Sequence, residues 1–138
     1  MIAIDTNVLV RIAVSEQSSQ GSAEIQRRKA KALFRSGQEL FVPVTVVQEL
    51  EWVLRAVYDM PTREIAAFLE DLLCVENIRV DRSAAVAQSI LLYRNGFDFS
   101  DALHWAQSGL CEHFLTFDRK FMKNAVANKL EPSVARVS

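Results

Sequence analysis

A chain of 138 residues, half of them hydrophobic and 24% charged, has the make-up of one globular domain with its own core rather than of a disordered segment. No apolar run reaches the roughly 18 residues that a membrane span needs. A net charge of −1 gives no support to a broad phosphate-gripping surface, which is usually basic, so any nucleic-acid contact is expected to be local.

The first residues, Met1 to Asp5, are apolar and meet an acid at once, so they read as a short buried strand and not as a signal peptide. Asn7–Val14 follows as a short helix. The polar stretch from Ser15 to Ser22 reads as a surface loop. Ser22 is placed to cap a helix over 23–36, with Ala23, Ala30, Leu33 and Phe34 inward and Gly37 just past its end. Leu40-Phe41-Val42 is a second strand, stopped by Pro43. Thr45 to Gln48 fits a capping box that opens a helix carrying Leu50, Val53, Leu54 and Val57 on one face. Thr62 caps the next helix, whose inward residues are Ile65, Phe68, Leu69 and Leu72.

Asn77–Val80 is a strand, and 82–95 a helix closed by Gly96. Asp98 or Ser100 caps a helix running to about Leu110. His113–Thr116 is a fourth strand, Asp118 caps a helix through Lys123, and the C-terminal residues offer a last short strand. Strands and helices in steady alternation predict an α/β fold: a single domain over 1–138, a three-layer α/β/α sandwich around a mainly parallel twisted sheet. Cys74 and Cys111 are far apart and form no CxxC pair, which predicts free thiols in a reducing cytoplasm.

In parallel sheets ligands bind beyond the carboxyl ends of the strands. Asp5 closes strand one, Glu49 lies in the first turn of the helix after strand two, Asp101 in the first turn of the helix after Gly96, and Asp118 just past the strand near 114. Capping and the helix dipole offer a plain structural role for Asp98 and Asp118. Glu49 has less of one, because the capping box already uses Thr45 and Gln48. Asp5, an acid at the mouth of an apolar strand, needs a partner or a task. Carboxylates gathered at one rim repel unless some protonate or a cation joins them. Hard oxygen donors suit Mg²⁺, with Mn²⁺ as a substitute, and no His/Cys cluster points to zinc.

Asp5-Thr6-Asn7 after an apolar strand, Thr45 with Glu49 and Leu50, Phe99-Ser100-Asp101-Ala102-Leu103-His104, and Thr116-Phe117-Asp118 together resemble a PIN domain. The segment Phe97-Asp98-Phe99-Ser100-Asp101-Ala102-Leu103 resembles in particular the VapC-type toxins of bacterial toxin–antitoxin pairs. The resemblance implies an acidic catalytic set of Asp5, Glu49, Asp101 and Asp118, with Asp5, Asp101 and Asp118 as ligands of one or two Mg²⁺ ions. Glu49 either joins them or relays a proton. It also implies that Thr6, Asn7, Thr45 and Thr116 support the site. The activity implied is metal-dependent cleavage of RNA, often transfer RNA, leaving a 5′-phosphate and a 3′-hydroxyl. The partners implied are a second copy in a homodimer and a VapB-type antitoxin.

Arg11, Arg119 and Lys120 are candidate contacts for flanking phosphates. The run Arg27-Arg28-Lys29-Lys31 reads as a polar helix face. His104 reads as a partly buried helix histidine rather than an acid–base group. Trp52, Trp105 and the phenylalanines read as core or dimer contacts rather than stacking platforms. The helices over 46–58 and 62–73 carry enough apolar surface to suggest a dimer seam or an antitoxin groove.

Three other readings compete. An aspartyl phosphatase has its nucleophile in Asp5, but Asn7 stands where a second Asp belongs. A non-catalytic RNA- or protein-binding module of the same fold has no need for four mutually repelling acids. A DNA-cleaving relative needs larger insertions than 138 residues allow.

Overall fold

The computed structural model describes residues 1–14 and 21–138, so most of the Ser15 to Ser22 loop expected from its polarity lies outside the described residues. The chain divides into two compact units, Met1–Ser83 and Ala84–Ser138. Every strand pairing is parallel, as the alternation of strands and helices requires.

The first unit runs β1 (Ile2–Ala3), α1 (Thr6–Ala13), α2 (Ser22–Arg35), β2 (Leu40–Val42), α3 (Val44–Ala56), α4 (Thr62–Cys74) and β3 (Ile78–Val80). Its sheet has the order β1-β2-β3, with Ile2 opposite Leu40 and Leu40 opposite Ile78. The central strand is the most apolar: Leu40 and Val42, on one face, are fully buried, and Phe41 on the other is half-buried. Pro43 ends it, having no N–H to continue the ladder. In α3, Val47, Leu50 and Leu54 fall at helical spacing and are fully buried. On the same helix Glu51 is 1% exposed, and Arg55, one turn on, donates from Nε to it at 2.8 Å. Helix α1 packs against α2 and α3, and α4 against α3 and β3.

The second unit takes most of α5 (Ser83–Arg94), then α6 (Phe99–Ala106), β4 (His113–Thr116), α7 (Arg119–Ala127) and β5 (Ser133–Arg136). Strands β4 and β5 pair with His113 opposite Ser133. Phe97, Ala102, Trp105, Phe121, Ala125 and Val134 form its core. Phe121 meets Phe97 and Phe114 edge-on at 6.1 and 5.6 Å, an arrangement that the ring quadrupole favours. Trp105 Nε1 donates to the Pro132 carbonyl at 2.9 Å, so its one polar atom is satisfied inside the core.

The helix starts differ from the caps expected. Gly21, Pro43 and Pro61 occupy the cap positions of α2, α3 and α4, with no side-chain cap bond. Ser22 and Thr62 are therefore first helical residues, and Thr45 is the second residue of α3, so the capping box does not form. Pro43 and Pro61 have φ of −58° and −62° with extended ψ, and a ring-fixed φ of that kind sets up the helix at the next residue. Helix α6 ends at Ala106 rather than near Leu110, and Leu110 is wholly exposed. Helix α7 continues to Ala127 because Ala125 packs into the core. Cys74 and Cys111 are free and exposed. Among the described residues no helix is long and apolar enough to cross a membrane.

Candidate active site

In the first unit, β1 runs into α1 through Ile4 and Asp5. The Asp5 carboxylate accepts the Thr6 N–H at 2.7 Å and caps α1. The acid that had no plain role in the sequence thus has a local one, at a helix start where a negative charge is favoured. Thr6 is buried, 5% exposed, and its hydroxyl donates to Glu49 Oε1. That bond ties α1 to α3. Because α3 starts at Val44, Glu49 is its sixth residue and has no N–H of the first turn to satisfy. Its carboxylate is exposed, so the Thr6 hydroxyl positions it without burying it.

Asp5, Thr6, Asn7 and Glu49 line a cleft of about 350 Å³ together with Arg11, Val53 and Tyr58. Arg11 stands at its edge, where its Nε donates to Gln26 Oε1 at 2.9 Å. Thr45 is exposed and is not among the residues lining this cleft. Tyr58 was missed from the sequence. It follows the end of α3, and nothing local in the pattern marks it.

In the second unit, three acids stand together. Asp98 caps α6 by accepting the Asp101 N–H at 3.0 Å. Asp118 caps α7, its Oδ1 accepting the Phe121 N–H at 3.0 Å. Thr116 Oγ1 accepts the Asp118 N–H at 3.0 Å, so Thr116 supports the turn that presents Asp118. Asp98, Asp101 and Asp118 line a small cleft of about 100 Å³ with Lys120 and Asn124. Asn124, absent from the sequence reading, lies one turn after Lys120 on the same face of α7. That spacing was the available signal. Arg119 opens α7 exposed and is not among the cleft residues.

Asp101 differs from its neighbours. Among the described residues no donor reaches its carboxylate; only its backbone N–H is used. Burial raises its pKa above the ordinary value of 3.8, the Asp98 and Asp118 carboxylates raise it further, and only His104 lowers it. A first-turn position on a helix favours a negative charge, while burial and the two neighbouring carboxylates oppose it. His104 itself is exposed, which corrects its reading as partly buried. Trp52 is also 55% exposed rather than core.

Within neither unit do three His, Cys, Asp or Glu side chains of the described residues form a ready cage for a metal ion. The donors present are nevertheless of the kind a hard divalent ion takes. Mg²⁺ is commonly held by one or two carboxylates, its own waters and a substrate phosphate, rather than by an all-protein cage. A cation would also relieve the repulsion on Asp101. The acids of the second unit fit such an ion by charge and by donor type.

Parallel strands that run into acid-capped helices define a class of α/β proteins whose chemistry sits at strand ends. Within that class, the family model of the PIN domain matches residues 2–127, a stretch that runs through both units, and the chain belongs to that family. PIN domains are of nuclease type and typically use divalent metal ions. No curated protein matches the chain.

Proposed function

We propose that the chain is a divalent-metal-dependent endoribonuclease, and that Asp5, Glu49, Asp101 and Asp118 are its catalytic acids. In this reading residues 1–138 work as one functional domain. The observation that carries it is the Asp101 carboxyl, which is crowded by Asp98 and Asp118, raised by burial and unsupported by any donor among the described residues. Such a charge costs stability, and binding a cation against a phosphate gives it a use.

Asp101 and Asp118 would hold Mg²⁺ or Mn²⁺, and Asp5 is likewise proposed as a metal ligand. The ion, when bound, supplies Lewis acidity for the phosphate and for the attacking water. Thr116 keeps the turn before Asp118 in place. Thr6 holds Glu49 toward the cleft, where its exposed carboxylate can accept a proton from water or complete the ligand set. Lys120, in the cleft with Asp101 and Asp118, neutralises a flanking phosphate, and Arg11 does the same at the first cleft. This local positive charge answers the objection raised by a net charge of −1.

The finer reading is a VapC-type toxin that cuts a structured RNA such as transfer RNA, forms a homodimer and is neutralised by a VapB-type antitoxin in the cytoplasm. The segment from Phe97 to Leu103 supports it. So do the exposed Trp52 of α3 and Val57 at its C-terminal cap, apolar side chains available to a partner.

The test incubates purified protein with total cellular RNA, with Mg²⁺ and with a chelator, and maps the cut ends. Wild type cuts only with the ion and leaves 5′-phosphates, while Asp5→Asn and Asp101→Asn do not cut. Equal cutting by wild type and both variants overturns the proposal.

A further inference from the structure

The chain has eight phenylalanines. Seven are buried or half-buried, and Phe117 is 72% exposed. The exposure follows from the two-residue period of a strand. In β4, Phe114 turns inward onto Phe121, while His113 and Leu115 face outward. Continuing that period one step past the strand puts Phe117 outward as well.

The ring is not on a loose loop. Thr116 Oγ1 holds the Asp118 N–H on one side, and Asp118 Oδ1 holds the Phe121 N–H on the other. The backbone that carries the ring is therefore fixed, and its next residue, Asp118, lines the acid cleft. An apolar ring left in water forgoes a large stabilising contribution to the fold.

We propose that Phe117 is a stacking platform for a nucleobase next to the scissile phosphate. The inference rests on the nuclease reading above. A phenyl ring offers a π-face and no hydrogen-bonding atom, so it holds any base by its face and reads no sequence. It can do so only for a base that has left its own stack, which directs cutting to unpaired nucleotides. With a net charge of −1 the protein has little general attraction for phosphates, and stacking supplies affinity that charge does not. Lys120 in the neighbouring cleft takes the phosphate, and the ring takes the base.

The test measures initial rates of cutting over a range of total RNA concentration, with Mg²⁺, for wild type, Phe117→Tyr, Phe117→Leu and Phe117→Ala. Cut ends are mapped to paired and unpaired positions. Tyrosine keeps the π-face and stays close to wild type. Leucine and alanine raise the apparent KM on the order of tenfold with little change in kcat. All variants keep the wild-type melting temperature, because the ring is exposed; one that fails to fold contradicts that exposure and overturns the proposal.

Leucine keeps the apolar volume, so a site for a protein partner tolerates it. Wild-type cutting by Phe117→Leu therefore overturns the stacking role while the nuclease reading stands. Equal cutting at paired and unpaired positions overturns it too. If wild type does not cut, or Asp118→Asn cuts as well as wild type, the nuclease reading falls first and this inference with it.

Discussion

In the cleft of the first unit each carboxylate has a protein donor: the Thr6 N–H serves Asp5 and the Thr6 hydroxyl serves Glu49. In the cleft of the second unit, Asp98 and Asp118 are likewise held by helix N–H groups, and Asp101 between them is not. Four of the five acids are therefore useful to the fold whether or not anything binds. Only Asp101, among the described residues, has no donor at its carboxylate, and burial and its acidic neighbours oppose its charge. A carboxylate that stabilises a helix start says little about function, whereas one that the fold tolerates at a cost says more.

The largest test of this contrast is Asp101→Asn. If its charge serves a cation at the phosphate, cutting falls on the order of a thousandfold, the scale of a lost charge contribution of several kcal/mol. The purified variant melts no lower than wild type without metal, because the fold has lost a repelled charge. Cutting at an undiminished rate would reduce Asp101 to a surface acid.

Thr6→Val comes next. It removes the hydroxyl that reaches Glu49 across 43 positions of sequence but keeps the buried volume. Groups that orient a ligand typically matter by about 10–100-fold. Single-turnover cutting should fall by that factor, and the pH profile should change if Glu49 moves a proton. An unchanged rate and profile would leave the Thr6–Glu49 bond a purely structural link between α1 and α3.

Asp98 separates capping from catalysis. Asp98→Ala should lower stability by about 1 kcal/mol through loss of the α6 cap, read by denaturant melts. Asp98→Asn, which can still accept the Asp101 N–H, should melt close to wild type and keep cutting. If Asn cuts as poorly as an Asp101 variant, Asp98 belongs with the ligands.

Much of this arrangement was legible before any coordinates. Strands Leu40–Val42 and His113–Thr116 stand out as apolar runs with hard stops, Pro43 in one case and a polar turn in the other. Helix starts were harder. Thr45 and Thr62 carry capping side chains, but Pro43 and Pro61 just before them already occupy the cap positions. Leu110 suggested a longer α6, yet it lies past the turn at Gln107 and is solvent-exposed.

Asp5, Glu49, Asp101 and Asp118 could each be singled out by position on a strand end or near a helix start. What each one touches could not. The Thr6–Glu49 bond depends on α1 meeting α3, and the crowding of Asp101 on α6 meeting α7; neither is a local property of the chain. The exposure of Phe117 is readable from the alternation in β4, which sets it apart from the aromatic residues on helices.

The smallest effect lies in how stability depends on pH without metal. Asp101 keeps its proton to a higher pH in the folded chain than in the unfolded one, for which the ordinary value is 3.8. Between that value and the raised one the native state holds more protons than the unfolded state, so stability falls as pH rises through this window. Asparagine at 101 cannot ionise and removes that contribution. Melts of metal-free protein at about pH 3 and about pH 7, bracketing the carboxylate range, should show wild type losing more stability toward neutrality than Asp101→Asn. Adding Mg²⁺ at neutral pH should return the loss to wild type and leave the variant unmoved, since the ion stabilises only a native state that binds it. Parallel curves for the two proteins would mean that the fold bears a charged Asp101 at no cost, and that crowding by Asp98 and Asp118 is not what sets it apart.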